Sequence, residues 1–274
     1  MIMKKSNLVT LAVLAFGMAH AVAKKPVNVL FVVIDDLRPE LNCYGVNEVV
    51  SPNIDRLAQK GMLCQRAYVQ YPVCNPSRSS FLSGLRPNET GIVINEVPFR
   101  QKLPKLVSLP QLFSQNGYIT AGIGKIFHKG QNAKGEPVLF QDPLSWDVYQ
   151  DNLATAPKIG RQGEGRNLTE GKLAWCQWRA ALGRDSDQPD GMNTDFALRF
   201  LEKQHEKPFF LALGIHKPHD PFIAPKKYFK FYPEGKTKLA NEPKDRSPRV
   251  KHAIPNNRDF AKFTDAERRE FKRA

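Results

Sequence analysis

Residues 27–34 read Val-Asn-Val-Leu-Phe-Val-Val-Ile, an almost unbroken β-branched and aromatic run that ends at Asp35 and Asp36. Such a run predicts a strand buried on both faces of a parallel sheet. Ser51-Pro52-Asn53-Ile54-Asp55 opens a helix with an N-cap serine and a proline at its first position, closing at Gly61. A second helix over 108–116 stops at Gly117 and feeds a strand over 118–123. Residues 193–207 carry Phe196, Phe200 and Leu201 on one side of an amphipathic helix, and the apolar run 209–215 follows as another buried strand. Helix and strand alternate, which predicts an α/β domain with a mostly parallel central sheet flanked by helices. Ligands of such sheets gather at the carboxyl ends of the strands, where Asp35, Asp36 and the residues after Ile215 fall.

The ends of the chain change the picture. Residues 1–23 hold Lys4 and Lys5, an apolar stretch over 8–18 and then Ala21-Val22-Ala23. This is the pattern of a secretory signal peptide, so a periplasmic or secreted protein is expected and 24–274 is left as the folded part. The apolar stretch is too short for a membrane span, so no stable membrane insertion is expected. Four cysteines, Cys43, Cys64, Cys74 and Cys176, are sparse for 274 residues. The fold must therefore rest on its 41% apolar residues, with disulfides optional. Net charge is +14, with much of the excess between Lys226 and Ala274. Export and positive charge together suit a polyanionic substrate, and no nucleic-acid motif accompanies the charge. Residues 130–189, rich in Gly, Pro, Asn, Asp and Gln, read as loops and insertions around the site. Trp146, Trp175 and Trp178 are expected there as packing, or as a sugar-binding surface.

Four local patterns carry chemistry. Cys74-Asn75-Pro76-Ser77-Arg78 runs into Ser79-Ser80-Phe81-Leu82-Ser83-Gly84. Pro76 suits the first turn of a helix, which would put Cys74 at an N-terminus where amide donors favour an anion. The plainer reading of Cys74 is a small buried hydrophobe. Asp35 and Asp36 repel each other unless a cation lies between them, and oxygen ligands suggest calcium before magnesium; a turn or helix cap is the alternative. Gly124-Lys125 follows a strand, with His128 three residues on. His216-Lys217-Pro218-His219-Asp220-Pro221 follows the last strand, and there a structural His216 bonded to a backbone carbonyl is expected.

Together these strings resemble the type I, formylglycine-dependent sulfatases, nearest to the iduronate-2-sulfatase branch. The resemblance implies an alkaline-phosphatase-like fold. It implies that Cys74 is oxidised to Cα-formylglycine by a formylglycine-generating enzyme, and that Asp35, Asp36 and position 74 bind calcium, with magnesium as the alternative. It makes Cys74, Arg78, Lys125, His128 and His219 catalytic, and Lys125, Lys217 and His219 substrate-binding. The reaction implied is hydrolysis of a sulfate ester on a sulfated sugar or glycan. An oxygen of the hydrated aldehyde attacks sulfur, His219 serves the departing alcohol, and His128 helps the second hydroxyl expel sulfate. A phosphonate or phosphodiester hydrolase and an inactive polyanion-binding fragment are the other readings.

The chain departs from that family's pattern in one respect. The expected later Ser-Asp-His-Gly run and a further lysine are absent, and Asp151-Asn152 stands in the wrong order to replace them. Thr264-Asp265-Ala266-Glu267 caps a helix still running at Ala274. The expectation is therefore an N-terminal part of a catalytic domain that lacks half of its metal site, with an exposed sheet edge.

Overall fold

The computed structural model describes residues 26–131, 137–139, 141–153, 157–239 and 262–274, with side chains described outside 129–131 and 137–139. The expected signal peptide, and part of the basic C-terminal stretch, lie outside the described residues. Among the described residues nine strands run in chain order: β1 Val29–Ile34, β2 Ile119–Gly124, β3 Lys129–Gln131, β4 Pro137–Leu139, β5 Val148–Gln150, β6 Gly163–Asn167, β7 Gln177–Ala181, β8 Phe209–Ile215 and β9 Phe222–Pro225. The central sheet has the order β1-β8-β2-β5, and every pair in it is parallel.

β8 shows why this sheet holds. Its odd and even positions serve opposite layers, so a continuous apolar run is needed. Phe210 and Ala212 join Leu82, Ile92, Phe99, Ile126 and Phe127 on one face. Phe209, Leu211 and Leu213 join Ala121, Ile123, Ala197 and Phe200 on the other. Helix α1 Pro52–Lys60 buries no residue and joins neither cluster; α2 Cys74–Ser83 and α3 Leu109–Gln115 cover the first face, α4 Pro189–Glu202 covers the second, and α5 Asp265–Arg273 lies near the end of the described residues. Ser108 caps α3 by accepting from the Gln111 amide at 3.3 Å, and Thr264 caps α5 in the same way from Glu267.

The structure corrects four expectations of detail. β1 is the edge of the described sheet, and Leu30 and Val32 are 52% and 48% exposed, so it is not buried on both faces. Ser51 does not cap α1, because its hydroxyl accepts from the Asn42 amide and donates to Asp55. α4 begins at Pro189, four residues before the apolar periodicity becomes visible. The stretch 130–189 is not only loops: β5 extends the central sheet, and β6, β7 and β9 make a second, three-stranded sheet. β6 reads Gly-Glu-Gly-Arg-Asn, with no apolar alternation to announce it. Trp178 packs in that second sheet against Phe229, and its indole donates to Glu270 at 2.6 Å.

Candidate active site at the strand ends

Strand geometry delivers the first two groups. The Asp35 amide continues the β1–β8 ladder to the Ile215 carbonyl at 3.0 Å, so its side chain sits at the carboxyl end of the sheet, 6% exposed. The Lys125 amide reaches the Gly214 carbonyl at 3.1 Å from the end of β2. That approach requires glycine: a Cβ on Gly214 would lie 2.1 Å from the Lys125 carbonyl oxygen.

Helix α2 delivers the next two. Val73 is its N-cap, in extended conformation, so Cys74 is the first helical residue and faces the strand ends. Asn75 fixes that start. Its buried amide nitrogen donates to the carbonyls of Ile94, Asn95 and Val97 at 3.2, 3.2 and 2.7 Å, and its main-chain N–H donates to Asn95 Oδ1 at 3.0 Å. One turn later Arg78, 3% exposed, reaches under the site. It donates to the carbonyls of Lys125 and Ile126 and pairs with Asp35 Oδ1 at 3.0 Å.

Asp35 is thus the hub. Lys125 Nζ pairs with its second oxygen, and the Cys74 sulfur lies 3.7 and 3.9 Å from its two oxygens. Burial alone would raise the Asp35 pKa, but the adjacent Arg78 and Lys125 charges outweigh it and hold the carboxyl below its ordinary value. The same Lys125 Nζ is 3.9 Å from the Cys74 sulfur. Asp36 takes a left-handed backbone, φ 53°, and its carboxylate points outward, 4.0 Å from His219 Nε2.

The two histidines titrate in opposite directions. Burial, reinforced by the Lys125 and Arg78 charges, pushes His128 down to about 4. A side-chain hydrogen bond with Cys74, against the opposing effect of burial, pushes His219 up to about 9, helped by the Asp220 carbonyl 2.8 Å from its Nδ1. At neutral pH His128 is therefore neutral, whereas His219, hydrogen-bonded to the Cys74 thiol, is protonated.

The turn that carries His219 differs from expectation. His216 is structural, but its partner is the Asp190 carboxylate at 3.0 Å, not a backbone carbonyl. Lys217 Nζ donates to the carbonyls of His219 and Pro221, at 2.9 and 2.5 Å, and so braces its own turn, while the residue also lines the cavity beside the site. Burial lowers its pKa. Beside these groups opens a cavity of about 870 Å³, bounded by Lys125, His128, Gln188, Thr194, His219 and Tyr228.

Among the described residues the donors within 4.8 Å of one another are Asp35, Cys74 and His219, and Asp36 lies outside this group. Calcium ordinarily takes six to eight oxygens. These residues fit one corner of such a shell and do not complete it, since the Asp35 oxygens already face two cations. Asn75 and Asp190 were missed by sequence reading. Asn75 lay in plain view inside the cysteine motif, whereas Asp190 had only its place beside the helix-opening Pro189 as a signal.

The fold and this cluster define an enzyme-like site of the α/β class in which an N-terminal helix residue meets groups from three strand ends. Residues 27–267 match the family model described as Sulfatase. The chain is 38% identical over 231 residues to mouse iduronate 2-sulfatase, covering 81% of this chain and 40% of that one. It is 33% identical to a sulfatase of Formosa agariphila, covering 75% and 42%. The chain belongs to the sulfatase family, and it spans about 40% of the length of the curated relatives it matches. Among solved structures, the phosphonate monoester hydrolase of Silicibacter pomeroyi superposes with a TM-score of 0.62 at 19% identity, covering 90% of this chain and 55% of that one, a likeness of fold.

Proposed function

We propose that this chain carries the nucleophile half of an exported sulfuric ester hydrolase acting on a sulfated sugar or glycan, with Cys74 converted to formylglycine by a formylglycine-generating enzyme. The observation that supports it best is the position of Cys74: first residue of α2, with Lys125, Asp35 and His219 converging on it, Arg78 bound to Asp35 beneath, and a cavity opening beside it. A helix N-terminus and two cations suit an anionic ester.

The side chains divide the work. Lys125 faces the place where sulfuryl charge would develop. Arg78, whose two terminal nitrogens engage the Lys125 and Ile126 carbonyls and Asp35, keeps Lys125 and Asp35 in place. His219, within ligand distance of position 74, is placed as the proton donor for the departing alcohol, and His128, held neutral by burial and the Lys125 and Arg78 charges, is the acceptor for a proton from position 74. A divalent cation held by Asp35, Asp36 and position 74, calcium before magnesium, would supply Lewis-acid polarisation. Its remaining oxygens would have to come from elsewhere.

Phosphonate or phosphodiester hydrolysis is the second reading, favoured by the fold of the Silicibacter pomeroyi enzyme. The sequence identity to iduronate 2-sulfatase favours sulfate. The deciding experiment offers an aryl sulfate and an aryl phosphodiester to the purified chain and to Cys74→Ala, with mass spectrometry of the Cys74 peptide. Sulfate turnover that disappears in the variant, with an aldehyde at position 74, supports the proposal. Dominant phosphodiester turnover reverses the choice of substrate, and heparin binding unaffected by Cys74→Ala with neither turnover leaves a polyanion-binding fragment.

A further inference from the structure

The turn 216–221 brings His219 to the site, yet the carbonyl contacts within it do not fix where the whole turn sits. One carboxylate does. Asp190, the second residue of α4, accepts from the His216 amide at 2.8 Å and from His216 Nδ1 at 3.0 Å with one oxygen, and from the Lys217 amide at 2.9 Å with the other. Both oxygens are used and all three donors belong to two consecutive residues. The turn then closes on itself: the His219 amide donates to the His216 carbonyl at 3.0 Å, and Lys217 Nζ ties the His219 and Pro221 carbonyls. The chain of contacts therefore runs from α4 through Asp190 to His216 and Lys217, and from their carbonyl and ammonium to His219.

We infer that Asp190 is a positioning residue for His219, holding the turn 216–221 in the register that keeps the imidazole beside position 74. The inference rests on the hydrolase reading above for its catalytic meaning. The contacts themselves stand without that reading. A carboxylate is suited to this task because it can accept at both oxygens; an amide of the same shape has one acceptor and must surrender either the His216 or the Lys217 side of the clamp. Burial makes the loss felt, since a donor left without a partner in this setting disfavours the native arrangement of the turn. Asp190 touches no reacting atom, so its removal should weaken turnover through the placement of His219 and leave binding of the ester nearly intact.

The test compares the whole chain with Asp190→Asn and with Glu202→Gln, an exposed change at the far end of the same helix. Amide hydrogen exchange is read at His216, Lys217 and His219, beside steady-state kinetics with an aryl sulfate. The expected result is at least about tenfold faster exchange at Lys217 and His219 in Asp190→Asn, and a kcat lowered at least about tenfold with KM changed less than about threefold. Glu202→Gln changes neither. Unchanged exchange overturns the clamp, and unchanged kcat with faster exchange overturns its role in placing His219. If the parent chain hydrolyses no ester, the hydrolase reading is what fails, and exchange alone then decides whether Asp190 holds the turn. Should Asp190→Asn unfold, Asp190→Glu, which keeps the charge but displaces it by one methylene, is read by the same two measurements against the same outcomes.

Discussion

Arg78 donates from its guanidinium to the main-chain carbonyl of Lys125, so the side chain of one active-site cation holds the backbone of the other. Both cations then meet on Asp35. The cluster is a mutual brace: α2 is tied to the end of β2 through Arg78, and the ends of β1 and β2 are tied through the Asp35–Lys125 pair.

Arg78→Ala removes that brace in one step. It leaves the carbonyls of Lys125 and Ile126 without these donors and strips Asp35 of one of two cations in a buried setting. Breaking a buried pair from one side typically costs about 3–5 kcal/mol. Urea denaturation should show a loss of roughly 3 kcal/mol, and Arg78→Lys, which keeps charge but loses the planar fork, should recover less than half of it. A loss below about 1 kcal/mol would mean the brace carries little of the fold.

Stability should peak with pH between the windows of the two histidines. His219 is raised from 6.5 to about 9, so its contribution is fully present below 6.5 and is lost as pH rises through about 9. His128 is lowered from 6.5 to about 4, so the unfolded chain binds the extra proton and stability falls as pH drops from 6.5 through about 4. In the chain with a free Cys74 thiol, subtracting the curve of Cys74→Ala should leave a difference that is level below about pH 6.5 and decays along the alkaline limb through about 9. Subtracting that of His128→Asn should leave one that is level above about pH 6.5 and changes along the acid limb through about 4. Denaturation midpoints from pH 4 to 9.5 read both, and an alkaline limb untouched in Cys74→Ala would show that the thiol does not hold the His219 proton.

Much of this site was legible because its parts lie in short continuous strings: Asp35 at a strand end, Cys74 to Arg78, Lys125 to His128, and His219. What the strings could not show was direction. Asp36 is adjacent to Asp35 in sequence, but a left-handed backbone turns it outward. Lys217 resembles a substrate ligand in sequence, but its ammonium has two carbonyls within reach. In the fold, β8 announced itself because both its faces are buried, whereas β6 has neither apolar alternation nor length. The clamp by Asp190 on His216, 26 residues away, is a tertiary contact with no periodic signature.

Asn75 should prove as sensitive as any residue in the motif, although it touches no substrate. Its amide nitrogen faces three main-chain carbonyls, and its oxygen accepts from Ser79 at 3.2 Å. Asn75→Ala leaves those acceptors unpaired and should cost about 2 kcal/mol or more. Asn75→Asp is nearly isosteric but sets a buried carboxylate against three carbonyls, so it should cost more than alanine does. Thermal unfolding of the pair checks the order, and aspartate being the milder change would refute the assignment of the amide nitrogen to those carbonyls.

Two glycines, Gly117 just before the amino end of β2 and Gly214 near the carboxyl end of β8, separate steric from conformational strain. Gly117 has φ 83° with nothing within 4 Å of an added Cβ, so Gly117→Ala should cost only the left-handed backbone, about 1 kcal/mol. Gly214 has no positive φ, but its added Cβ would meet the Lys125 carbonyl oxygen at 2.1 Å and the Lys125 nitrogen at 2.7 Å, and backbone cannot swing aside as a side chain can. β8 and β2 must part there, which stretches the 3.1 Å bond between Lys125 and Gly214 and shifts Lys125 relative to Asp35. Gly214→Ala should therefore cost about 2 kcal/mol or more by urea denaturation. Ester turnover should fall under conditions where the variant remains fully folded, while Gly117→Ala keeps it. Equal effects from the two substitutions would show that the close approach of β2 and β8 does not set the position of Lys125.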